Sequence, residues 1–165
     1  MITITEEPYD GPVATGLVAD LLHDLNARYE EEDGDDPEDD EAYLAEVTPP
    51  MVERPNGVFL VAWVDGEPLS CGALKPLDTD PAVGEIKRMY TRPAGRRQGL
   101  GRRILARLET TAIELGYRRL QLETGVPQPE ALSLYERTGW HRITPYGHYK
   151  DSAHSVCFAK EVAAG

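Results

Sequence analysis

The chain is short of positive charge. Its 165 residues carry 17 Lys and Arg against 29 Asp and Glu, a formal net charge of −12. A general binder of nucleic acid or of an anionic membrane needs a basic face, so neither partner is expected. Long apolar runs are also missing. No stretch is long enough to span a bilayer, and "MITITEEPYD" opens without the basic-then-apolar order of a secretory signal. The expected location is therefore cytoplasmic. Cysteine is scarce: Cys71 and Cys157 lie far apart without CxxC spacing, and read as reduced, buried small hydrophobes. His23, His141, His148 and His154 lack ligand spacing, so no metal is expected. Repeats and interdomain linkers are absent, and the length suits one domain over 1–165.

What is present alternates between strand and helix patterns. "MITIT" reads as an opening strand, and Val13 to Tyr29 carries Leu17, Val18, Leu21, Leu22 and Leu25 on a 3.6-residue stripe. Glu30 to Glu41 is acidic at every position but Gly34 and Pro37, and reads as a solvated, mobile loop; it lacks the ligand-and-glycine order of a calcium hand. Two apolar runs flank Asp65-Gly66 and predict a hairpin over Gly57 to Leu77. A "DTDP" linker precedes a strand through Gly84 to Thr91, ending before Pro93, in which Ile86, Arg88 and Tyr90 alternate with Glu85, Lys87 and Met89. Helices follow over Gly101 to Leu115 and over "EALSLYERTG", separated by the strand "RRLQLET". Trp140 to Ile143 and Ser155 to Lys160 close the chain as two strands. The order predicts a mixed α/β sheet with a βαβ crossover in its middle.

The scarce positive charge is concentrated. Between Glu85 and Arg107 fall eight of the 17 basic residues, and Glu85 is the only acid. At the centre stands "RRQGLGRRIL", Arg96 to Leu105. Gly99 and Gly101 let backbone approach an anion, and the helix start offers free N–H groups and a positive dipole end. Arginines can add charge-assisted bonds to phosphate. A Walker loop is excluded by the absence of GxxxxGK[ST], and a dinucleotide fingerprint fails because Ile104 stands where its third glycine belongs. A solvated basic helix remains the alternative.

"R-x-x-G-x-G" from Arg96 to Gly101, between strand and helix, resembles the acyl-CoA pyrophosphate motif of the GNAT superfamily of N-acetyltransferases. "QPEALSLYERTGW", Gln128 to Trp140, is similar to the family's N-x-x-A-x-x-x-Y-x-x-x-G-F signature, with Gln128 in place of Asn and Trp140 in place of Phe. The resemblance runs over Gly84 to Lys160. It implies the GNAT-type fold: a mixed, mostly antiparallel sheet with a parallel, splayed strand pair and flanking helices. It also implies acetyl-CoA as co-substrate, lying between the strands at Glu85–Thr91 and Leu120–Thr124. Arg96, Arg97, Gln98, Gly99, Leu100, Gly101 and Arg102 would hold the pyrophosphate. The backbone of Met89, Tyr90 and Thr91, with Gln128, Ala131 and Leu134, would line the pantetheine arm, and the Met89 N–H would serve the oxyanion.

Acetyl transfer to an amine needs a proton acceptor for the nitrogen and a donor for the leaving thiolate. Tyr135 matches the family position that protonates sulfur; its other reading is a core tyrosine. Glu85 matches a subset that carries a catalytic glutamate on this strand; its other reading is an exposed glutamate paired with arginine. Glu123, on the neighbouring strand, is a further base candidate, and Tyr146 or Tyr149 in "TPYGHY" can cover an acceptor pocket. The implied activity is direct transfer in a ternary complex to a primary amine of a small molecule or peptide. A non-catalytic acyl-CoA-binding sensor and a plain nucleotide binder stay open, as does the choice between a monomer and the homodimer common in the family.

Overall fold

Asp65 and Gly66 adopt φ of 48° and 87°, the left-handed pair of a tight hairpin turn. They join β2 (Val58–Val64) to β3 (Glu67–Leu77), and β1 (Ile2–Glu6) pairs antiparallel with β2 at the sheet edge. The expected "DTDP" linker is instead the turn of a second hairpin. Leu77 pairs with Asp80, and β4 runs on from Asp80 to Thr91. The computed structural model describes residues 1–33, 40–125, 128–147 and 150–162. Among these residues the sheet has seven strands in the order β1-β2-β3-β4-β5-β7-β6, with β5 at Arg119–Gly125, β6 at His141–Ile143 and β7 at Ser155–Glu161. β4 and β5 are parallel and the other described pairs antiparallel.

Four helices flank the sheet in the described chain: α1 (Pro12–Asp33), α2 (Asp40–Ala45), α3 (Leu100–Glu114) and α4 (Pro129–Arg137). α3 is the crossover between the parallel strands. Its stripe of Ile104, Leu105, Leu108 and Ala112 buries against Leu60, Leu74, Ile86 and Leu122. The other face of the sheet packs Phe59, Val61, Cys71 and Ala73 against Ala14, Leu17 and Val18 of α1. Cys71 and Cys157 are both buried and free, as their spacing suggests.

Two expectations need correction. The acidic run is not wholly a loop: α1 continues to Asp33, and Asp40 opens α2. Glutamate has good helix propensity, and the charge forbids only a buried face. Positions 34–39 of the expected loop lie outside the described residues. Nor does β4 alternate regularly. From Lys87 to Tyr90 it takes three steps while β3 takes two from Ala73 to Cys71, and Arg88, at φ 60°, absorbs the surplus as a bulge. Ile86 and Met89 therefore face α3, whereas Tyr90 joins the α1 side. Arg88 and Lys87 both reach toward the α2 segment.

Candidate active site

The parallel pairing is short. Gly84 pairs with Leu120, Glu85 with Gln121 and Ile86 with Leu122, and there it ends, just before the bulge bends β4 away. A gap opens between the strands from Lys87 and Glu123 onward. Tyr135 stands at the same level: its ring is 5.6 Å from that of Phe158, whose register partner is Leu122. It is 4% exposed and also stacks 5.9 Å from Trp140. Burial pushes its phenol well above the ordinary range, so the group stays protonated.

On the α3 side, the glycine turn is built for close approach. Arg97 and Gly99 have φ of 66° and 74°, and Arg103 N–H is the first to bond back along the helix, to the Gly99 carbonyl at 3.1 Å. The N–H groups of Leu100, Gly101 and Arg102 thus lack intrahelical acceptors. A Cβ at Gly101 would lie 3.6 Å from Leu134 Cδ2 and 3.9 Å from Thr91 Oγ1, so the turn, the end of β4 and α4 meet here with space to spare. Arg96 donates to the Thr91 carbonyl at 3.3 Å and lies 3.9 Å from Asp24. Arg97, Gln98 and Arg102 are exposed. The side chains of Met89, Tyr90 and Leu100 pack into the cores, leaving their backbone to a ligand. Gln128 is the half-buried residue before α4, and Ala131 packs inward with Leu134.

The opposite face carries a charged cavity. Glu85 and Glu123 line it together with Lys75, Lys87, Asp78 and Tyr146. Glu85, 6% exposed, has both oxygens engaged: Lys75 Nζ lies 3.3 Å from Oε1, and Tyr146 Oη donates to Oε2 at 3.0 Å. Lys75 is 1% exposed and also donates to the Pro76 carbonyl at 2.8 Å and to Asp78 at 3.0 Å. Lys87 pairs with Glu46 at 2.9 Å. Among the described residues Glu123 has no such cation in contact; the Cys157 thiol lies 3.8 Å from its Oε2, and the Ser155 hydroxyl also hydrogen-bonds to it. Burial pushes its carboxyl up to about 7; Lys87 and Ser155 pull downward, and Glu46 and Glu85 add to the rise. Burial, then Glu85, also holds the Tyr146 phenol far above its ordinary range.

Lys75, Asp78 and Glu46 escaped the sequence reading. The signal was a single lysine inside the apolar strand "LSCGALKPL", a position that a charge occupies only with partners. Tyr146 stands over the cavity as one of the two alternatives considered; Tyr149 and His148 lie outside the described residues.

Residues 18–140 match the model of the Acetyltransferase (GNAT) family, which is well over half of the chain. The chain belongs to the GNAT family of acetyltransferases. It is 41% identical over 96 residues to an IAA acetyltransferase of Azospirillum brasilense, covering 58% of this chain and 62%, less than two thirds, of that relative. Among solved structures it is similar to a protein of Klebsiella pneumoniae assigned as an acyl-CoA N-acyltransferase, with 27% identity, a TM-score of 0.74 and 98% of both chains covered. A GNAT acetyltransferase of Elizabethkingia anophelis with acetyl-CoA bound shares the fold at 21% identity and a TM-score of 0.65, over 97% of each chain. The seven-stranded mixed sheet, its one parallel pair and its flanking helices are the GNAT arrangement. Among the described residues, no helix is long and apolar enough to cross a membrane.

Proposed function

We propose that this GNAT protein transfers an acetyl group from acetyl-CoA to a primary amine by direct attack in a ternary complex. One observation carries the reading: the β4–β5 gap has an anion turn and Tyr135 on one side and a charged cavity with Glu123 on the other. The free N–H groups of Leu100, Gly101 and Arg102, with Arg96, Arg97 and Gln98, would hold the pyrophosphate at the turn's Gly99 bend. Met89, Tyr90 and Thr91 backbone, with Gln128, Ala131 and Leu134, would line the arm. When bound, acetyl-CoA supplies an acetyl group activated as a thioester.

The residues of the chain divide the proton work. An amine arrives as an ammonium ion and must lose a proton before it is nucleophilic. Glu123 Oε takes that proton, because it lines the cavity with no cation in contact among the described residues and its affinity for a proton matches neutral pH. Glu85, expected as the base, has both oxygens occupied; we assign it to holding Tyr146 and Lys75 in the cavity wall. Tyr135 Oη, protonated through the accessible pH range, delivers a proton on the sulfur side.

The test is thiol release from acetyl-CoA against a library of primary amines, beside calorimetry with acetyl-CoA. Amine-dependent release supports the reading. Tight binding of acetyl-CoA with no release from any amine overturns it in favour of a sensor. Two substitutions probe the parts. A Cβ at Gly101 meets only ordinary contacts in the protein, so Gly101→Ala should fold normally yet bind acetyl-CoA about tenfold more weakly by crowding the turn. Glu85→Gln should lower kcat/KM by roughly tenfold, the worth of one charge-assisted hydrogen bond, while the rise of activity through neutral pH persists. Loss of that rise in Glu85→Gln, and its survival in a Glu123 variant, would reverse the two assignments.

A further inference from the structure

Among the described residues, Arg88 is a buried cation with no carboxylate against it. It is 4% exposed on the bulge of β4. Its Nε donates to Tyr9 Oη at 3.1 Å, one Nη to the Tyr43 carbonyl at 2.9 Å, and the guanidinium lies 4.1 Å over the Tyr43 ring. The other Nη is buried and has no hydrogen-bond partner. Guanidinium does not give up its proton, so the charge stays, and burying it with a donor unmet is costly unless a partner arrives. Tyr9 Oη accepts from Arg88 and has no acceptor for its own proton among the described residues. Two donors are thus left beside one unbalanced positive charge.

Their position relates them to the acceptor cavity. The bulge puts Lys87 and Arg88 toward the α2 segment, and Lys87 lines the cavity. Tyr43, which covers Arg88, lies three residues from Glu46, another wall residue. The cavity's own cations are used up: Lys75 holds Asp78 and Glu85, and Lys87 holds Glu46, so the carboxylates outnumber the lysines and Glu123 is the one that neither lysine contacts. The cavity wall suits an ammonium group, and Arg88, next along the chain from the wall residue Lys87 and behind the lining, suits an anion.

We infer that the acceptor is an amino acid or similar zwitterion, whose carboxylate is recognised by the unpaired Arg88 Nη together with Tyr9 Oη. Two donors match the two oxygens of a carboxylate, whereas a phosphate dianion gathers more. The inference rests on the acetyl-transfer reading of the same cavity and narrows its substrate class.

The experiment compares L-amino acids with their carboxamides and with the decarboxylated amines, using the full chain. The first readout is kcat/KM from thiol release. The second is binding of the same compounds by calorimetry in the presence of coenzyme A, which needs no turnover. Acids are expected to exceed their matched amides about tenfold or more in both, as loss of a charged hydrogen-bonded partner requires. Arg88→Gln should collapse that ratio chiefly through KM, and Tyr9→Phe should reduce it several-fold should the Arg88 variant fail to fold. Equal or better binding and turnover of amides or plain amines by the parent protein overturns the inference. Selective binding of acids with no thiol release from any compound keeps the carboxylate site and sinks the acetyl-transfer reading instead.

Discussion

Glu123→Gln is expected to cut kcat/KM by about 10²–10³, the usual worth of a positioned general base. The parent's kcat/KM should rise through a pKa of about 7, where the Glu123 carboxyl loses its proton. The variant should show a low profile without that rise. Stability should move the other way. The folded-state pKa of Glu123 lies above its ordinary value of 4.5, so between these values the folded protein binds more protons than the unfolded chain. Stability from this group is therefore greatest below the unfolded value and is lost as pH rises through about 7. At neutral to alkaline pH the charged, half-buried carboxylate costs on the order of 1–3 kcal/mol, which glutamine does not incur. Urea unfolding at about pH 5 and about pH 8 checks this: the variant should match or trail the parent at the first and exceed it at the second. A variant that is slower and also less stable at the higher pH would show Glu123 to be a structural residue.

The glycine turn and the helices beside it were legible in the sequence because their signals are local. A glycine turn, a helix start and a tyrosine seven residues beyond Gln128 are all written within short windows, and backbone N–H groups offer the same donors whatever the side chains are. The sheet order followed from the same periodicities. The acceptor side was not legible, for a physical reason. Glu85 meets Lys75 across the β3–β4 ladder and Tyr146 from 61 residues away, and neither pairing leaves a mark on local pattern. Glu85 reads as a base or as an exposed glutamate paired with arginine until its burial against Lys75 and Tyr146 is seen. The bulge is hidden in the same way. An extra residue at Arg88 shifts every later side chain to the opposite face, and regular alternation cannot announce it. Tertiary partners thus decided which of two sequence-visible carboxylates has both oxygens engaged.

Tyr135→Phe should separate catalysis from packing at the heart of the site. The ring is held between Trp140 and Phe158, and the phenylalanine ring keeps both contacts. Among the described residues the hydroxyl makes no hydrogen bond, so its removal should leave thermal stability within about 1 kcal/mol of the parent. The KM for acetyl-CoA should likewise stay close to the parent's. Turnover should nevertheless fall by about 10²–10³, because the departing thiolate loses its proton donor. The pH profile carries a second, sharper check. An ordinary phenol titrates near 10, and burial raises this one further, so the parent's kcat should reach a plateau above neutral pH without a descending limb up to about pH 10. A limb that falls in the parent near pH 8 or 9 and vanishes in Tyr135→Phe would mean a phenol of lowered proton affinity, contrary to its burial. Unchanged turnover would leave Tyr135 a core residue and move the proton donor to solvent.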